Sequence, residues 1–172
     1  DGAISGSQKG FMLPSGLAIL AFSQKALKAT ETSTSRRGFL SLQDQINSNK
    51  DGYTPYTASS TMLHGLRAAL DLLFEEGLDN VYARHHRLGE GVRRAVAAWG
   101  LGICAEAGVE SDTVTAIVVP EDKDAREVIS TAFNKYNISL GAGLSILSGK
   151  VFRIGHIGDM NDVSLLGAIA GV

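Results

Sequence analysis

The sequence is poor in cysteine, proline and aromatic residues, and it carries no large excess of either charge. A single cysteine in 172 residues, Cys104, excludes an internal disulfide and any zinc site built from several cysteines, and it favours a reduced, cytoplasmic setting. The formal net charge of −2 provides no basic surface for nucleic acid or for an anionic membrane. No apolar run approaches the roughly 20 residues of a transmembrane helix. We therefore expect neither a nucleic-acid partner nor a membrane segment.

The sequence does contain enough apolar residues, 44%, for an ordinary domain with a core. Strands are predicted over residues 1–5, 17–22, 101–104, 113–119, 138–140 and 151–158, and helices over 24–28, 39–46, 61–76, 79–99, 124–136 and 163–172. Residues 30–37, 47–52 and 141–150 are predicted loops. This alternation indicates an α/β fold that ends in a small α+β unit. We place the boundary between residues 1–76 and 77–172.

The periodicity also predicts which side chains are buried. The continuous apolar run Leu17–Phe22 is typical of a strand covered on both faces. Tyr82 belongs to the apolar stripe of the helix over 79–99, and Phe133 is predicted to face inward from the helix over 124–136. Cys104 falls in a predicted buried strand, which argues against a reactive thiol.

Two patterns that suggest ligand sites fail on geometry. His85 and His86 are adjacent and therefore point about 100° apart on a helix, so we expect solvated side chains and no metal site. A phosphate-binding loop at Gly149 and Lys150 requires four residues between its glycines, whereas five separate Gly143 from Gly149.

Lys9 is the first candidate for chemistry. It lies between Gly6 and Gly10 among small and polar residues, close to a predicted strand on either side. A lysine in such a loop can bind phosphate, or its free amine can add to an aldehyde as a Schiff base. It can equally be an ordinary loop lysine with its stem laid on the surface, and spacing alone leaves these alternatives open.

Arg153 is the second candidate because it is a charge in the middle of the apolar strand Val151–Gly158. Burying a guanidinium without a partner costs several kcal/mol, so we expect a carboxylate or phosphate beside it. The partner can be a core Asp or Glu in a structural ion pair, or a ligand carboxylate held by two parallel hydrogen bonds.

Three segments resemble the class V aminotransferases, most closely the serine– and alanine–glyoxylate branch. They are Ser5-Gly6-Ser7-Gln8-Lys9 followed by Pro14-Ser15-Gly16, then Pro55-Tyr56-Thr57, and finally Gly149-Lys150-Val151-Phe152-Arg153-Ile154-Gly155. Their order and spacing match the family from Ser5 to about Asn161. The resemblance implies the end of a fold type I large domain, followed by a small C-terminal α+β domain.

The resemblance assigns a role to each matching residue. Lys9 would hold pyridoxal 5′-phosphate (PLP) covalently and act as the catalytic base, and Gln8 would contact its phosphate. Tyr56 and Thr57 would reach across a homodimer interface to the phosphate in the neighbouring subunit, although a plain polar helix entry explains this segment without the family. Arg153 would bind the α-carboxylate of the amino acid. We therefore expect Lys9 to lie in a pocket, and an amine in bulk water would count against an enzyme.

The implied activity is transfer of an amino group from serine or alanine to glyoxylate or a similar 2-oxo acid. Two alternatives remain: a non-catalytic oligomerisation module, and a cysteine desulfurase-like enzyme, which would carry His rather than Gln8 before the lysine. The family's ring-binding aspartate, stacking aromatic residue and N-terminal phosphate loop all precede the lysine. Because the chain has no initiator methionine and its pattern stops at Val172, we interpret it as the C-terminal portion of a longer protein, inactive alone.

Overall fold

Helices and strands alternate along the computed structural model, which describes residues 1–172. The strands are β1 (Gly2–Gly6), β2 (Ala18–Phe22), β3 (Gly102–Ile103), β4 (Val114–Val118), β5 (Gly141–Ala142) and β6 (Val151–Gly155). The helices are α1 (Gln24–Thr32), α2 (Leu42–Asn49), α3 (Ser60–Glu76), α4 (Leu78–Ala98), α5 (Ala125–Tyr136) and α6 (Asp162–Ala170). The predicted α/β class is confirmed. No helix has both the length and the apolar character needed to span a membrane.

The chain forms two compact units, Asp1–Leu72 and Leu73–Val172. In the first unit, β1 and β2 pair as an antiparallel two-stranded sheet in which Gly2 lies opposite Phe22 and Gly6 opposite Ala18. No residue of β1 or β2 is buried, so the prediction of a strand covered on both faces is wrong for this chain. A sheet of two strands leaves each strand with one open edge and offers little surface for burial.

Capping residues decide where the first two helices begin. The Ala26 N–H donates to the Ser23 hydroxyl at 3.2 Å, and the Asp44 N–H donates to the Ser41 hydroxyl at 3.3 Å. The predicted start of α1 is therefore confirmed, whereas α2 begins three residues later than predicted. Each helix also extends into a predicted loop, α1 to Thr32 and α2 to Asn49.

The second unit is built on a four-stranded antiparallel sheet in the order β3-β4-β6-β5. Within it Ile117 lies opposite Phe152, and the neighbouring pair places Ala116 opposite Arg153. The core packs one face of this sheet against α4, α5 and α6; its most buried residues are Leu88, Val92, Val96, Ile117, Ala125, Phe152, Ile154 and Leu165. Because side chains alternate along a strand, Arg153 projects from the opposite face.

Glycines with positive φ separate the long helices. Gly77 (φ +83°) lies between α3 and α4, and Gly100 (φ +75°) follows α4, a conformation that residues with a side chain adopt at a cost. The helix predicted over 61–76 ends at Glu76 and the helix predicted over 79–99 ends at Ala98, so both predicted ends are confirmed to within one residue.

Two aromatic residues predicted to face inward are exposed instead. Tyr82 is 64% exposed although Val81 is buried, and Phe133 is 57% exposed although Ala132 is buried. In each case the aromatic residue is one position, about 100°, away from the buried stripe. The helical pattern was right, but each stripe is narrower than predicted.

The sheet strands are shorter than predicted. β3 ends at Ile103, which leaves Cys104 exposed in a bend rather than in a buried strand. Residues 138–140 form no strand; the pairing residues are Gly141 and Ala142, within the predicted loop 141–150, which also contains a 3-10 turn at Ser145–Leu147. β6 ends at Gly155, and α6, capped by Asn161, ends at Ala170 instead of Val172.

Candidate active site

The loop that carries Lys9 is closed by Ser7, a fully buried residue. The Ser7 hydroxyl donates to the Pro14 carbonyl at 2.7 Å and accepts from the Leu17 N–H at 3.2 Å. The Ser7 N–H also donates to the Leu17 carbonyl at 3.1 Å. Three hydrogen bonds from one residue therefore tie together the two ends of the loop between β1 and β2.

Leu13 anchors the same loop to α3. Its side chain is 8% exposed, and its Cδ2 lies 3.0 Å from the point where a Cβ at Gly65 would stand. The absence of a side chain at Gly65 therefore lets Leu13 approach the helix backbone. An apolar groove runs along this contact, lined by Met12, Leu13, Pro14, Thr61, Met62, Gly65, Ala68, Ala69 and Leu72.

Lys9 and Gln8 lie at the exposed tip of this loop. The Gln8 side chain folds back over Gly6, so that its Oε1 is 2.5 Å from where a Cβ at Gly6 would be. The Lys9 amine has no hydrogen bond or ion pair with another residue of the chain. The expectation of an enclosed lysine is therefore not met by the residues of this chain, and burial of Lys9 cannot support an enzyme assignment.

Tyr56 and Thr57 lie in the first unit, in the irregular segment before α3. Tyr56 is 47% exposed and packs against Phe39, with ring centroids 4.9 Å apart. The Thr54 hydroxyl donates to the Tyr56 carbonyl, and the Leu63 N–H donates to the Ser59 carbonyl at 3.1 Å, where α3 begins. Tyr56 and Thr57 are thus exposed residues in a segment that hydrogen bonds hold in place before α3.

Arg153 lies in the second unit and is half-buried, not fully buried as predicted. Its Nε–H donates to the Ala142 carbonyl at 3.0 Å. It forms no ion pair with any Asp or Glu of the chain, so the structural ion pair considered as an alternative is absent. The two terminal nitrogens have no partner, and they remain available to an acceptor outside the chain.

The segment after Arg153 is held by His85, which was predicted to be solvated but is buried. The Gly158 N–H donates to His85 Nε2 at 3.1 Å, so the hydrogen of this imidazole is on Nδ1, which donates to the Val81 carbonyl at 2.7 Å. His85 therefore connects α4 to the turn that follows β6. Its neighbour His86 is exposed, as predicted, and no cluster of His, Cys, Asp or Glu suitable for a metal is present.

His156 fixes the same segment from the other side. It is fully buried, with Nδ1 at 2.9 Å from the Asp112 carbonyl and Nε2 at 3.0 Å from the Thr115 hydroxyl. The carbonyl can only accept, so Nδ1 carries the hydrogen and Nε2 accepts from Thr115. Burial lowers the pKa of His156 below its ordinary value, which favours the neutral imidazole.

Arg84 completes this framework and was not recognised from the sequence. Its Nε and one terminal nitrogen donate to the Glu76 carboxylate at 2.7 and 2.8 Å, while the other terminal nitrogen donates to the Gly158 and Met160 carbonyls, both at 2.9 Å. The hydrogen bond from Arg84 lowers the pKa of Glu76. The residues lie eight positions apart across the break at Gly77, a spacing that no helix-pair rule identifies.

Sequence comparison finds relatives along the whole chain, although no protein-family model matches it. The chain is 57% identical to the serine–glyoxylate aminotransferase of Methylorubrum extorquens, over 99% of the chain and 44% of that relative. Its identity is 52% to the serine–glyoxylate aminotransferase of Arabidopsis thaliana (100% of the chain, 43% of the relative) and 48% to the L-aspartate–glyoxylate aminotransferase of Paracoccus denitrificans (99% and 43%). The chain thus spans less than half the length of these curated relatives.

Solved structures give the same result. The fold matches pyridoxamine–pyruvate aminotransferase from Mesorhizobium loti with a TM-score of 0.93 and 30% identity, over 99% of the chain and 45% of that structure. It matches alanine–glyoxylate aminotransferase from Nostoc sp. with a TM-score of 0.89 and 28% identity, over 99% and 46%. Over nearly its whole length the chain is therefore similar to the C-terminal portion of class V, fold type I aminotransferases, with serine–glyoxylate and alanine–glyoxylate enzymes among the proteins that it matches.

Proposed function

We propose that the complete protein is a PLP-dependent transaminase that moves an amino group from serine or alanine to glyoxylate or a similar 2-oxo acid. The observation that carries this proposal is the 57% identity to a serine–glyoxylate aminotransferase over 99% of the chain. Identity of 48% to a relative named for L-aspartate and glyoxylate supports glyoxylate as the shared acceptor more strongly than it supports one donor.

The donor set in this chain fits PLP. An aldehyde requires an amine without a competing carboxylate, and Lys9 forms no ion pair within the chain. A phosphate requires hydrogen-bond donors, and the Gln8 amide and the Tyr56 and Thr57 hydroxyls are exposed side chains of that kind. We propose that Gln8 binds the phosphate within its own subunit, and that Tyr56 and Thr57 bind it in a neighbouring subunit of a homodimer or larger homo-oligomer.

In the proposed mechanism, each residue has a separate task. Lys9 would hold the cofactor through its Nζ, and its amine, when free, would accept the proton that leaves the substrate Cα. Arg153 binds the α-carboxylate through its unpartnered nitrogens and thereby fixes the direction of the Cα–H bond. PLP, when bound, supplies the electron sink for this step.

The framework behind Arg153 supports its proposed role in orientation. Arg84 and His85 bind the turn at Gly158, and His156 ties the same segment to Asp112 and Thr115. Hydrogen bonds from α4, from β4 and from Asp112 just before β4 therefore hold the residues that directly follow β6. A carboxylate bound by a side chain on a fixed strand loses less freedom during the reaction than one bound by a loop.

The desulfurase-like alternative is weaker. The predicted burial of Cys104 was one argument against a reactive thiol, and the exposure of Cys104 removes that argument. However, the residue before the lysine is Gln8, and the class V resemblance associates His at that position with desulfurases.

A cytoplasmic location stays part of the proposal, supported by the presence of a single cysteine.

The test uses the full-length protein, because the 172-residue chain alone is expected to bind PLP poorly. PLP is added, borohydride reduces the bound adduct, and peptide mass spectrometry identifies the modified lysine. Modification at Lys9 that is absent in Lys9→Ala, with Lys25→Ala as a control that stays modified, supports the transaminase. No modification of any lysine would favour the non-catalytic oligomerisation module.

A second measurement tests the assigned substrate contact. Arg153→Ala should raise KM for the amino donor by about 10- to 100-fold, the range for loss of a charged, hydrogen-bonded contact. Attachment of PLP to Lys9 should persist in this variant. An unchanged KM would remove Arg153 from the substrate site.

A further inference from the structure

Arg153 lies directly opposite Gly141 in the pairing of β5 with β6. A Cβ built at Gly141 would stand 3.2 Å from the Arg153 Cβ, 3.3 Å from its Nε and 3.6 Å from its Cζ. The arginine stem and guanidinium therefore extend across the space that any other residue at position 141 would fill. Gly141 has no positive φ, so the backbone itself does not require glycine here.

The next residue, Ala142, supplies the only hydrogen bond to the Arg153 side chain, from Nε–H to its carbonyl at 3.0 Å. A carboxylate can bind an arginine side-on, through Nε and one terminal nitrogen, or end-on, through both terminal nitrogens. Because the Nε–H is already engaged, the end-on arrangement is the one that remains open.

The direction of the Ala142 carbonyl is itself fixed. Ala142 pairs with Phe152 in the sheet, and the Gly143 N–H continues the ladder by donating to the Val151 carbonyl at 3.1 Å. Beyond it the chain turns so tightly that a Cβ at Gly143 would lie 2.1 Å from the Leu147 carbonyl oxygen. The acceptor for Arg153 is thus held by the sheet on one side and by a close-packed turn on the other.

We propose that Gly141 is a positioning residue: its missing side chain lets the Arg153 guanidinium lie against β5 with Nε on the Ala142 carbonyl, so that both terminal nitrogens receive the substrate carboxylate end-on. This inference rests on the proposed function of Arg153 as the carboxylate ligand. It adds the reason for the orientation of the Arg153 side chain, and it specifies that the two terminal nitrogens of the guanidinium face the substrate carboxylate.

The first experiment measures the Arg153 Nε–H in the full-length protein by ¹H–¹⁵N NMR of arginine side chains. The signal is assigned by its loss in Arg153→Lys. In the native chain its exchange with water should be slowed at least about tenfold relative to exposed arginines, because it is hydrogen-bonded. Gly141→Ala should accelerate this exchange several-fold and Gly141→Val should abolish the protection.

Gly155→Ala is the matched control, because Gly155 lies two residues from Arg153 on the same strand and a Cβ there meets nothing within 4 Å. Its Arg153 exchange should equal that of the native chain. If Gly141→Val does not fold, Gly141→Ala still gives the test. Unchanged Arg153 exchange in folded Gly141→Ala would overturn the positioning role.

The second experiment measures kinetics in the full-length protein. Displacing the guanidinium by a few tenths of an ångström should raise KM for the amino donor about 3- to 10-fold in Gly141→Ala and more in Gly141→Val, since a shift of about 1 Å costs roughly 100-fold. Because Arg153 also fixes the direction of the Cα–H bond, kcat should fall as well in both variants, and Gly155→Ala should leave KM and kcat unchanged.

The two experiments separate the two proposals. Accelerated Arg153 exchange with a raised KM supports both. Accelerated exchange with an unchanged KM shows that Gly141 positions Arg153 but that Arg153 does not bind the substrate, which overturns the proposed function of Arg153 and with it the end-on carboxylate.

Discussion

Arg84→Met should lower the free energy of unfolding of the second unit by about 2–4 kcal/mol, because it removes a charge-assisted network of four hydrogen bonds. Two of these bonds reach the Glu76 carboxylate, and two reach the Gly158 and Met160 carbonyls. Breaking a buried ion pair costs about 3–5 kcal/mol, whereas an exposed pair contributes about 0–1 kcal/mol. The Arg84 side chain is 18% exposed and that of Glu76 33%, so water rehydrates Glu76 and the expected cost lies below the buried value.

Methionine is the test substitution because it keeps an unbranched stem along the helix surface without a donor. Arg84→Lys keeps the charge, but a single ammonium group cannot reach both the Glu76 carboxylate and the Gly158 and Met160 carbonyls. We therefore expect an intermediate loss of about 1–2 kcal/mol in the free energy of unfolding. In the double-mutant cycle, Glu76→Gln combined with Arg84→Met should show a coupling energy of about 1 kcal/mol, because the pair is partly screened.

Trp99 provides the assay. It is the only tryptophan in the chain and packs against the core at the end of α4, so its fluorescence during urea titration reports the second unit. A cost of this size should lower the melting temperature of the second unit by about 8–32 °C, because the shift per kcal/mol is about 4–8 °C for a domain of up to about 100 residues. A change below about 0.5 kcal/mol in Arg84→Met, with an unchanged urea dependence, would refute the view that Arg84 fixes the turn after β6.

Three further predictions follow from buried groups. The folded-state pKa of His156 is lowered, so the unfolded chain binds more protons than the folded chain below about pH 6.5. The free energy of unfolding should therefore fall as the pH drops from there, until the folded-state pKa is reached. Urea titrations from pH 7.5 to 5 should show a steeper loss of stability in the native chain than in His156→Asn. Ser7→Ala should lower the local stability of the loop by about 1–2 kcal/mol and speed hydrogen exchange at the Leu17 N–H. Ser15→Ala, at an exposed serine of the same loop, is the control. Equal exchange in the native chain and both variants would contradict the closure of the loop by Ser7. Ile117→Ala should destabilise the second unit by about 2–5 kcal/mol by leaving a cavity, and a loss under 1 kcal/mol in urea would show that the site collapses.

Periodicity predicted most helices and strands. The glycines at 77 and 100 and the cap at Ser23 are local signals, and the structure uses each of them. The misplaced strand at 138–140 shows the limit, since short apolar runs do not indicate which residues pair. Gly141 and Ala142 have little intrinsic strand preference and are strands because β6 lies beside them.

Predictions of burial were weaker because they depend on what lies opposite each side chain. Tyr82 and Phe133 lie one position beyond the buried stripes, whereas His85 is buried because the Gly158 N–H needs its imidazole as an acceptor. His85 does lie at helical spacing from Val81 and Leu88 on the predicted apolar stripe, but a partner 73 residues away cannot be read from the sequence around position 85.

The candidate site was predicted by resemblance rather than by physics. The roles of Lys9, Gln8, Tyr56, Thr57 and Arg153 remain predictions. Ser7, which closes the loop of Lys9, and Gly141, which lies opposite Arg153, could not be found from sequence: a serine in a polar loop and a glycine before a turn look ordinary. Their partners are backbone atoms and a side chain brought together only by folding.

The exposure of Cys104 has a practical consequence for measuring the oligomeric state. In the 172-residue chain, which has one accessible thiol, oxidation in air can join two copies by a single disulfide bond but cannot link a third copy. A pair seen on a gel without reductant therefore says nothing about the native assembly unless it persists after thiols are blocked.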